Sequence, residues 1–441
     1  MKFTKMSLVA ALLIGSSAFA IDNIKVSGDA KLFYQTTDGV SGAQAIKNAT
    51  NGTNDTGSLF SKDSSSADAA LNLNVTADLA KNNIVAISAG AGYTVLSTLG
   101  LENNLVSNVW GGAHTAVTGT GSTYGQVLGG AKVENANWMN EAWIAATTGK
   151  TTAKIGRMEL DTPLAFTETW SIEKNTFEAA VVINQDVPDT TLVGAYIGNG
   201  NGTEVFGQNA QSNVQTLGLA SAAVVNGEGT FTTYGTNGAY AVGVINNSFK
   251  PLTAQAWYYS VTRVADAYWL QADLDTTDLG IEGLTLGAQY SSVKSVANGA
   301  TADTVYALQV GYAMKDLFAA SLSYSSVNND GSIGYAGFNT ATNMTTAQTK
   351  LYTEVWWNYG QVTMSDTDSI HLTVTSPVQG LFDLGVYYTD VNHKATGSQD
   401  LKELTVTAGK SFGPLDATLV FINTDAATND NIVQAYLTLN F

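Results

Sequence analysis

Apolar and polar residues alternate with period two, over stretches of roughly ten residues, through most of this chain. That is the pattern of a β-strand with two unlike faces. Leu71, Leu73, Val75, Ala77 and Leu79 alternate with Asn72, Asn74, Thr76 and Asp78. Leu284, Leu286, Ala288 and Tyr290 do the same against Thr285, Gly287, Gln289 and Ser291. The polar face is built from Gly, Ser, Thr, Asn and Gln rather than from charge. Strands are expected near 24–35, 69–79, 84–95, 137–147, 152–158, 177–184, 190–197, 238–246, 252–261, 267–275, 284–293, 304–313, 318–327, 369–376, 382–391, 401–410, 414–423 and 432–441. Helical period is confined to two pieces, Thr216–Val225 and Leu351–Tyr359, both between strands.

The connections are of two kinds. Tight polar links such as Thr148–Thr151, Lys315–Asp316 and Phe412–Gly413 contrast with long Gly/Asn/Ser/Thr-rich ones at 36–68, 96–136, 198–237 and 328–368. If short and long links mark opposite ends of a barrel they must alternate. They do so when 198–237 and 328–368 are each a single loop, which gives eighteen strands; sixteen or twenty follow if one hairpin is misread. An even number brings both termini to one side, as bacterial single-chain membrane barrels require. A barrel of this size has a lumen too wide for side chains to fill. The small polar face then lines water and the apolar face meets lipid, with every backbone group paired and no free edge. Tyr34, Tyr93, Tyr258, Tyr312 and Tyr388 near strand ends suit interfacial girdles. A soluble sandwich with polar faces outward is the competing reading.

Composition sharpens this picture. Of 441 residues only 13% are charged while 44% are hydrophobic and 10% aromatic, and the mean hydropathy is +0.03. A soluble domain carries about 25% charged residues, and disordered chains are far less apolar. The formal charge of −17, with Arg157 and Arg263 as the only arginines, argues against nucleic-acid binding, which needs cationic phosphate contacts. The absence of cysteine excludes disulfide scaffolds, thiolate metal sites and cysteine nucleophiles.

The two ends carry export signals. Lys2 and Lys5 precede an apolar run, Met6–Gly15, and the small-x-small site Ala18-Phe19-Ala20. This arrangement predicts a cleaved signal peptide over 1–20, with the mature barrel beginning at Ile21 and spanning 21–441. Loss of those two lysines takes the charge from −17 to −19. At the other end Val433, Ala435, Leu437, Leu439 and the terminal Phe441 share one face. An alternating strand ending in an aromatic resembles the sorting signal of outer-membrane barrels.

The segment Lys154-Ile155-Gly156-Arg157-Met158-Glu159-Leu160-Asp161-Thr162-Pro163-Leu164 resembles the G-R-x-E-L-D-T-P-L motif of OprD-type outer-membrane porins, closest to the major porins of the Campylobacter group. Asn175-Thr176-Phe177-Glu178-Ala179 and Asp186-Val187-Pro188-Asp189-Thr190-Thr191 fit the pattern around the next hairpin. The resemblance implies an eighteen-stranded diffusion porin in the outer membrane of a Gram-negative bacterium, often a homotrimer, with the loop after the fifth strand folded into the lumen. The strand count independently makes 159–176 that loop. Substrate-specific members of the family line the pore with an arginine ladder and carry an acidic–arginine pair in this loop. Here the stretch reads Glu168-Thr169-Trp170-Ser171-Ile172-Glu173-Lys174, with no arginine, which favours a general, water-filled pore for ions and small hydrophilic solutes.

A narrow low-dielectric neck selects by the sign of its charge. Glu159, Asp161, Glu168 and Glu173, against Arg157 and Lys174, would give a constriction that prefers cations; placement of these acids on the outer rim is the alternative. Neutralising Glu168 and Glu173 would then weaken cation preference. Related porins can hold calcium, and Asp161 is the metal candidate, although no run meets the EF-hand pattern; no cofactor is required. Enzyme readings are weak: His114, His371 and His393 show no metal-binding spacing, and no G-x-S-x-G elbow occurs. A barrel-anchored surface adhesin is the rival function, because the loops 36–68 and 96–136 are long enough to hold a partner.

Overall fold

A computed structural model describes residues 22–39, 56–101, 135–170, 172–202, 231–235, 237–341, 347–426 and 429–441. Eighteen long strands form its wall. They are β1 (Asp22–Thr37), β2 (Ser65–Lys81), β3 (Ala86–Ser97), β4 (Asn135–Thr148), β5 (Thr151–Met158) and β6 (Phe177–Asn184); β7 (Thr190–Gly200), β8 (Ala239–Asn246), β9 (Leu252–Val261), β10 (Ala265–Asp275), β11 (Leu284–Ser295) and β12 (Asp303–Met314); and β13 (Phe318–Val327), β14 (Thr367–Val378), β15 (Phe382–His393), β16 (Leu401–Phe412), β17 (Leu415–Asp425) and β18 (Asn429–Asn440). Thr232–Thr233 adds a two-residue antiparallel bridge to β7. Every neighbouring pair is antiparallel, and β1 closes the sheet onto β18 in the register Asp29↔Asn440 through Thr37↔Ile432. Gly28 and Phe441 exchange backbone hydrogen bonds of 2.9 and 3.0 Å at the seam.

The eighteen expected strands are all present, several of them longer than the apolar pattern alone implied. In β2, Ser65 and Ser66 still pair with Thr36 and Gln35: polar residues continue the ladder past the apolar band, where hydrophobic alternation no longer marks them. The expected helix at Leu351–Tyr359 is absent. Turns occupy this stretch, followed by a short 3-10 turn at Gln361–Thr363. Carboxylates take backbone N–H groups that a helix would need: Glu354 accepts from Val355 N, and Glu403 from Trp357 N and Asn358 N. The other helical candidate, 216–225, the signal segment with Ala20 and Ile21, and His114 lie outside the described residues.

Outward positions carry the apolar face. Tyr93, Tyr258, Tyr312 and Tyr388 are exposed there, as are Leu437, Leu439 and Phe441. Tyrosines at the long-loop end run across neighbouring strands in register: Tyr196↔Tyr240, Tyr258↔Tyr268 and Tyr290↔Tyr306. At the opposite end Tyr312 and Phe318 lie 6.3 Å apart. These two bands border Leu308 and Val310, both exposed on β12. The larger core lies inside the barrel, where Leu160, Leu164, Phe338 and Leu351 from two loops pack against Met158, Tyr259, Trp269 and Val305 of the wall.

Candidate pore constriction

The loop 159–176 leaves β5 and crosses the lumen. Its first half is a tight turn: Thr162 Oγ1 donates to Ala165 O at 2.7 Å and Thr167 N to Leu160 O at 2.8 Å. This turn presents Leu160, Leu164 and Ala165 to the internal core, and Leu164 N reaches the Tyr259 hydroxyl of β9. The second half returns as a two-residue hairpin, Thr169–Trp170 against Glu173–Lys174. It ends against the opposite wall, where Lys31 of β1 donates to Ile172 O at 3.1 Å and Asn72 of β2 to Glu173 at 3.1 Å. The loop is therefore anchored to both sides of the barrel.

The loop 328–366, expected as a long connection with a helical piece, also turns inward. Its Lys350 carbonyl accepts from Gln289 of β11 at 2.8 Å, and its Tyr352 hydroxyl donates to Asp273 of β10. Its Asn358 amide donates to Glu403 of β16 at 2.8 Å. The two inward loops are joined to each other. Asn339 Nδ2 and Gln348 N donate to Glu168 Oε1 at 2.7 and 2.9 Å; Phe166 N donates to Asn339 Oδ1 at 3.1 Å, and Thr340 N to Leu164 O at 2.8 Å.

This arrangement sorts the sequence candidates. Arg157 does not face the lumen. On β5 it shares its parity with Ile155, which is 59% exposed on the outer face, while Met158 points inward at 1%. Arg157 pairs outside with Glu178 at 2.9 Å and lies over the Phe231 ring at 4.2 Å. Glu168 and Glu173 are 0% and 1% exposed, so they hold the loops and present no charge to the water path. Burial pushes the Glu173 carboxyl up to about 7, against the opposing pull of Lys31 and the hydrogen bond from Asn72. The exposed acids each have a cationic partner: Glu159 with Lys174, and Asp161 with Lys350. Burial works to lower the Lys174 ammonium, but the bound Glu159 carboxylate and nearby Glu141 hold it above the ordinary lysine value. Calcium fits poorly at Asp161, since it takes six to eight oxygens and the carboxylate already binds an ammonium. Among the described residues no group of three or more His, Asp or Glu is placed to hold a metal.

The residues that sequence reasoning missed sit in the second loop. A signal was present: Tyr352, Trp356, Trp357 and Tyr359 fall within one polar connection, and so aromatic a segment needs a surface to cover it.

No protein-family model matches the chain, and no curated protein matches it. Solved structures do. OccK1 (OpdK) of Pseudomonas aeruginosa superposes with a TM-score of 0.69 at 12% identity, covering 96% of this chain and 100% of that one. OccK8 (OprE) of the same organism gives 0.67 at 14% identity, over 96% and 99% of the two chains. Acinetobacter baumannii OccAB4 gives 0.67 at 10%, again over 96% and 99%. OpdK is described as an outer membrane protein and has been crystallised with vanillate, and OccK2 (OpdF) in complex with glucuronate. Over nearly its whole length this chain has the closed eighteen-stranded barrel fold of these proteins.

Proposed function

We propose that this protein is an outer-membrane porin of a Gram-negative bacterium, an OprD-type channel akin to the major porins of the Campylobacter group, that passes ions and small hydrophilic solutes. The observation that carries the reading is the combination of an apolar, tyrosine-banded outer surface with a polar lumen narrowed by two anchored inward loops. A barrel filled only to stiffen it would not need inward polar residues such as Asn74 on β2 and Gln271 and Gln289 on β10 and β11. Weak cation preference follows from the lumen wall rather than from the loop acids: inward positions carry Asp29, Asp78, Glu141, Asp273, Asp383 and Asp416 against Lys25, Lys31 and Lys154.

The trimer expected from the resemblance has a candidate face. On β3 to β7 the outward positions include Ala89, Ala91, Ala142, Ala153, Ala180 and Gly194, which let two barrels approach closely, whereas β8 to β12 present Tyr, Leu and Val. Purified, refolded protein in planar bilayers tests the function: stepwise ohmic openings are expected, and a silent barrel would remove the porin reading. Gel mobility before and after boiling, with chemical cross-linking, reports the trimer.

A further inference from the structure

Where the two inward loops meet the β14–β15–β18 wall they leave a cavity of about 520 Å³, open on one side. That volume falls in the range of small-molecule sites, roughly 300–1,000 Å³. Its lining combines flat aromatic surfaces with uncharged polar groups. Trp356 and Tyr387 are half-buried, with ring centres 4.8 Å apart; Tyr436 and Trp357 add two further rings. Gln348, Thr373 and Gln434 supply amides and a hydroxyl. Some of this polar inventory is already used internally. Tyr436 donates to Gln434 at 2.9 Å, and His371 Nε2 lies 2.9 Å from Thr373 Oγ1. Among the described residues no hydrogen bond engages the Gln348 side-chain amide, the Trp356 indole N–H or the Tyr387 hydroxyl, so each has capacity for a solute.

The cavity presents no free charge. Its one acid, Glu354, accepts backbone N–H groups from Thr349 and Val355, and burial pushes its carboxyl well above the ordinary range, towards the neutral form. A charged solute would therefore find no counter-ion here, and a purely apolar one would strand the amides. The ligand that uses both features has an apolar C–H face and a rim of neutral hydroxyls.

We propose that this cavity is a binding subsite for a neutral pyranose sugar, its ring face on Trp356 and Tyr387 and its hydroxyls on Gln348 and Thr373. The proposal rests on the porin reading and deepens it: the neck holds such a solute as well as passing it.

Maltotriose, a neutral chain of pyranose rings, is the probe for the full-length protein in planar bilayers. Reversible, saturable interruptions of the ion current are expected. Trp356→Ala is expected to raise the half-blocking concentration about tenfold, equivalent to about 1.4 kcal/mol, each interruption being scored against that variant's own open-channel current. Gln348→Ala gives a second, milder variant, because only the backbone N–H of Gln348 ties the loops together. A polyethylene glycol of matching size serves as control and should act equally on all variants. Ohmic channels indifferent to maltotriose would overturn the subsite while leaving the porin intact. Interruptions that survive undiminished in both variants would overturn it too. Absence of any channel would overturn the porin reading and the subsite with it.

Discussion

Gly156 shows how a single residue can be fixed by its place in the wall. Its φ is +130° and an added Cβ would lie 2.1 Å from Ala142 O on β4. Only glycine tolerates that backbone conformation at such an approach, which gives a physical reason for the glycine beside Arg157 in the sequence motif. Gly156→Ala should destabilise the barrel by about 1–3 kcal/mol or more, seen as a lower temperature for the gel shift from folded to unfolded mobility; an unchanged temperature would contradict the strained geometry. Glu173 allows a test by pH. Its folded pKa of about 7 lies above the ordinary 4.5, so the folded state keeps its proton longer than the unfolded chain does. Its contribution is most favourable below pH 4.5 and declines as pH rises towards about 7. The separation corresponds to about 3 kcal/mol. Glu173→Gln should remove that slope, so the difference in urea midpoint between the two proteins should grow in favour of the variant from pH 4.5 to 7. A pH-independent difference would mean that Glu173 is not buried as described.

Among the elements, the strands were legible in the sequence and the interior was not, for a common reason. Each strand has one face on lipid and one on the lumen, so the pattern that identifies it lies within about ten consecutive residues. The inward loops are held by contacts between residues 171 and 180 positions apart, Glu168 with Asn339 and with Gln348, and such pairings leave no local periodicity. The loop 159–176 was recognised because a motif and a strand count both pointed to it. The aromatic run 352–359 suggested a helix because its spacing is compatible with one, but the carboxylates of Glu354 and Glu403 claim its backbone donors. Glu168 on the first loop accepts from two donors of the second, Asn339 and Gln348, and its replacement tests that tie. Glu168→Ala leaves Asn339 and Gln348 without their buried acceptor, a loss of about 1–3 kcal/mol. The junction should then loosen, still held by Phe166 with Asn339 and by Leu164 with Thr340, while the wall anchors at Asn72 and Glu403 persist. Larger and noisier single-channel conductance in a still-folded barrel is the expected readout; unaltered, quiet openings would show that the tie does not set the neck.

For the whole molecule, the question is where an acidic chain puts its charge. The sequence points to four selective acids on the loop, Glu159, Asp161, Glu168 and Glu173, and the structure buries the last two. A carboxylate sealed from the water path and satisfied by amides contributes little to the field that a permeating ion meets, so Glu168→Gln should leave ion selectivity nearly unchanged. The exposed loop acids behave differently because each is matched by a lysine. Removing the acid does more than subtract one negative charge: it takes the paired carboxylate from Lys174 or Lys350 on the inward loops, where low-dielectric walls focus the field. Glu159→Gln and Asp161→Asn together should therefore carry the channel towards anions, further than neutralising two acids of the wide mouth, Asp383 and Asp416, would do. Reversal potentials under a KCl gradient measure all three cases, and low salt should enlarge the differences because screening is weaker there. If the mouth pair proves to govern selectivity and the loop pair does not, the ions pass on a route that avoids the Glu159–Lys174 and Asp161–Lys350 pairs, and the constriction must be sought on the aromatic side of the lumen, against Trp356 and Tyr387.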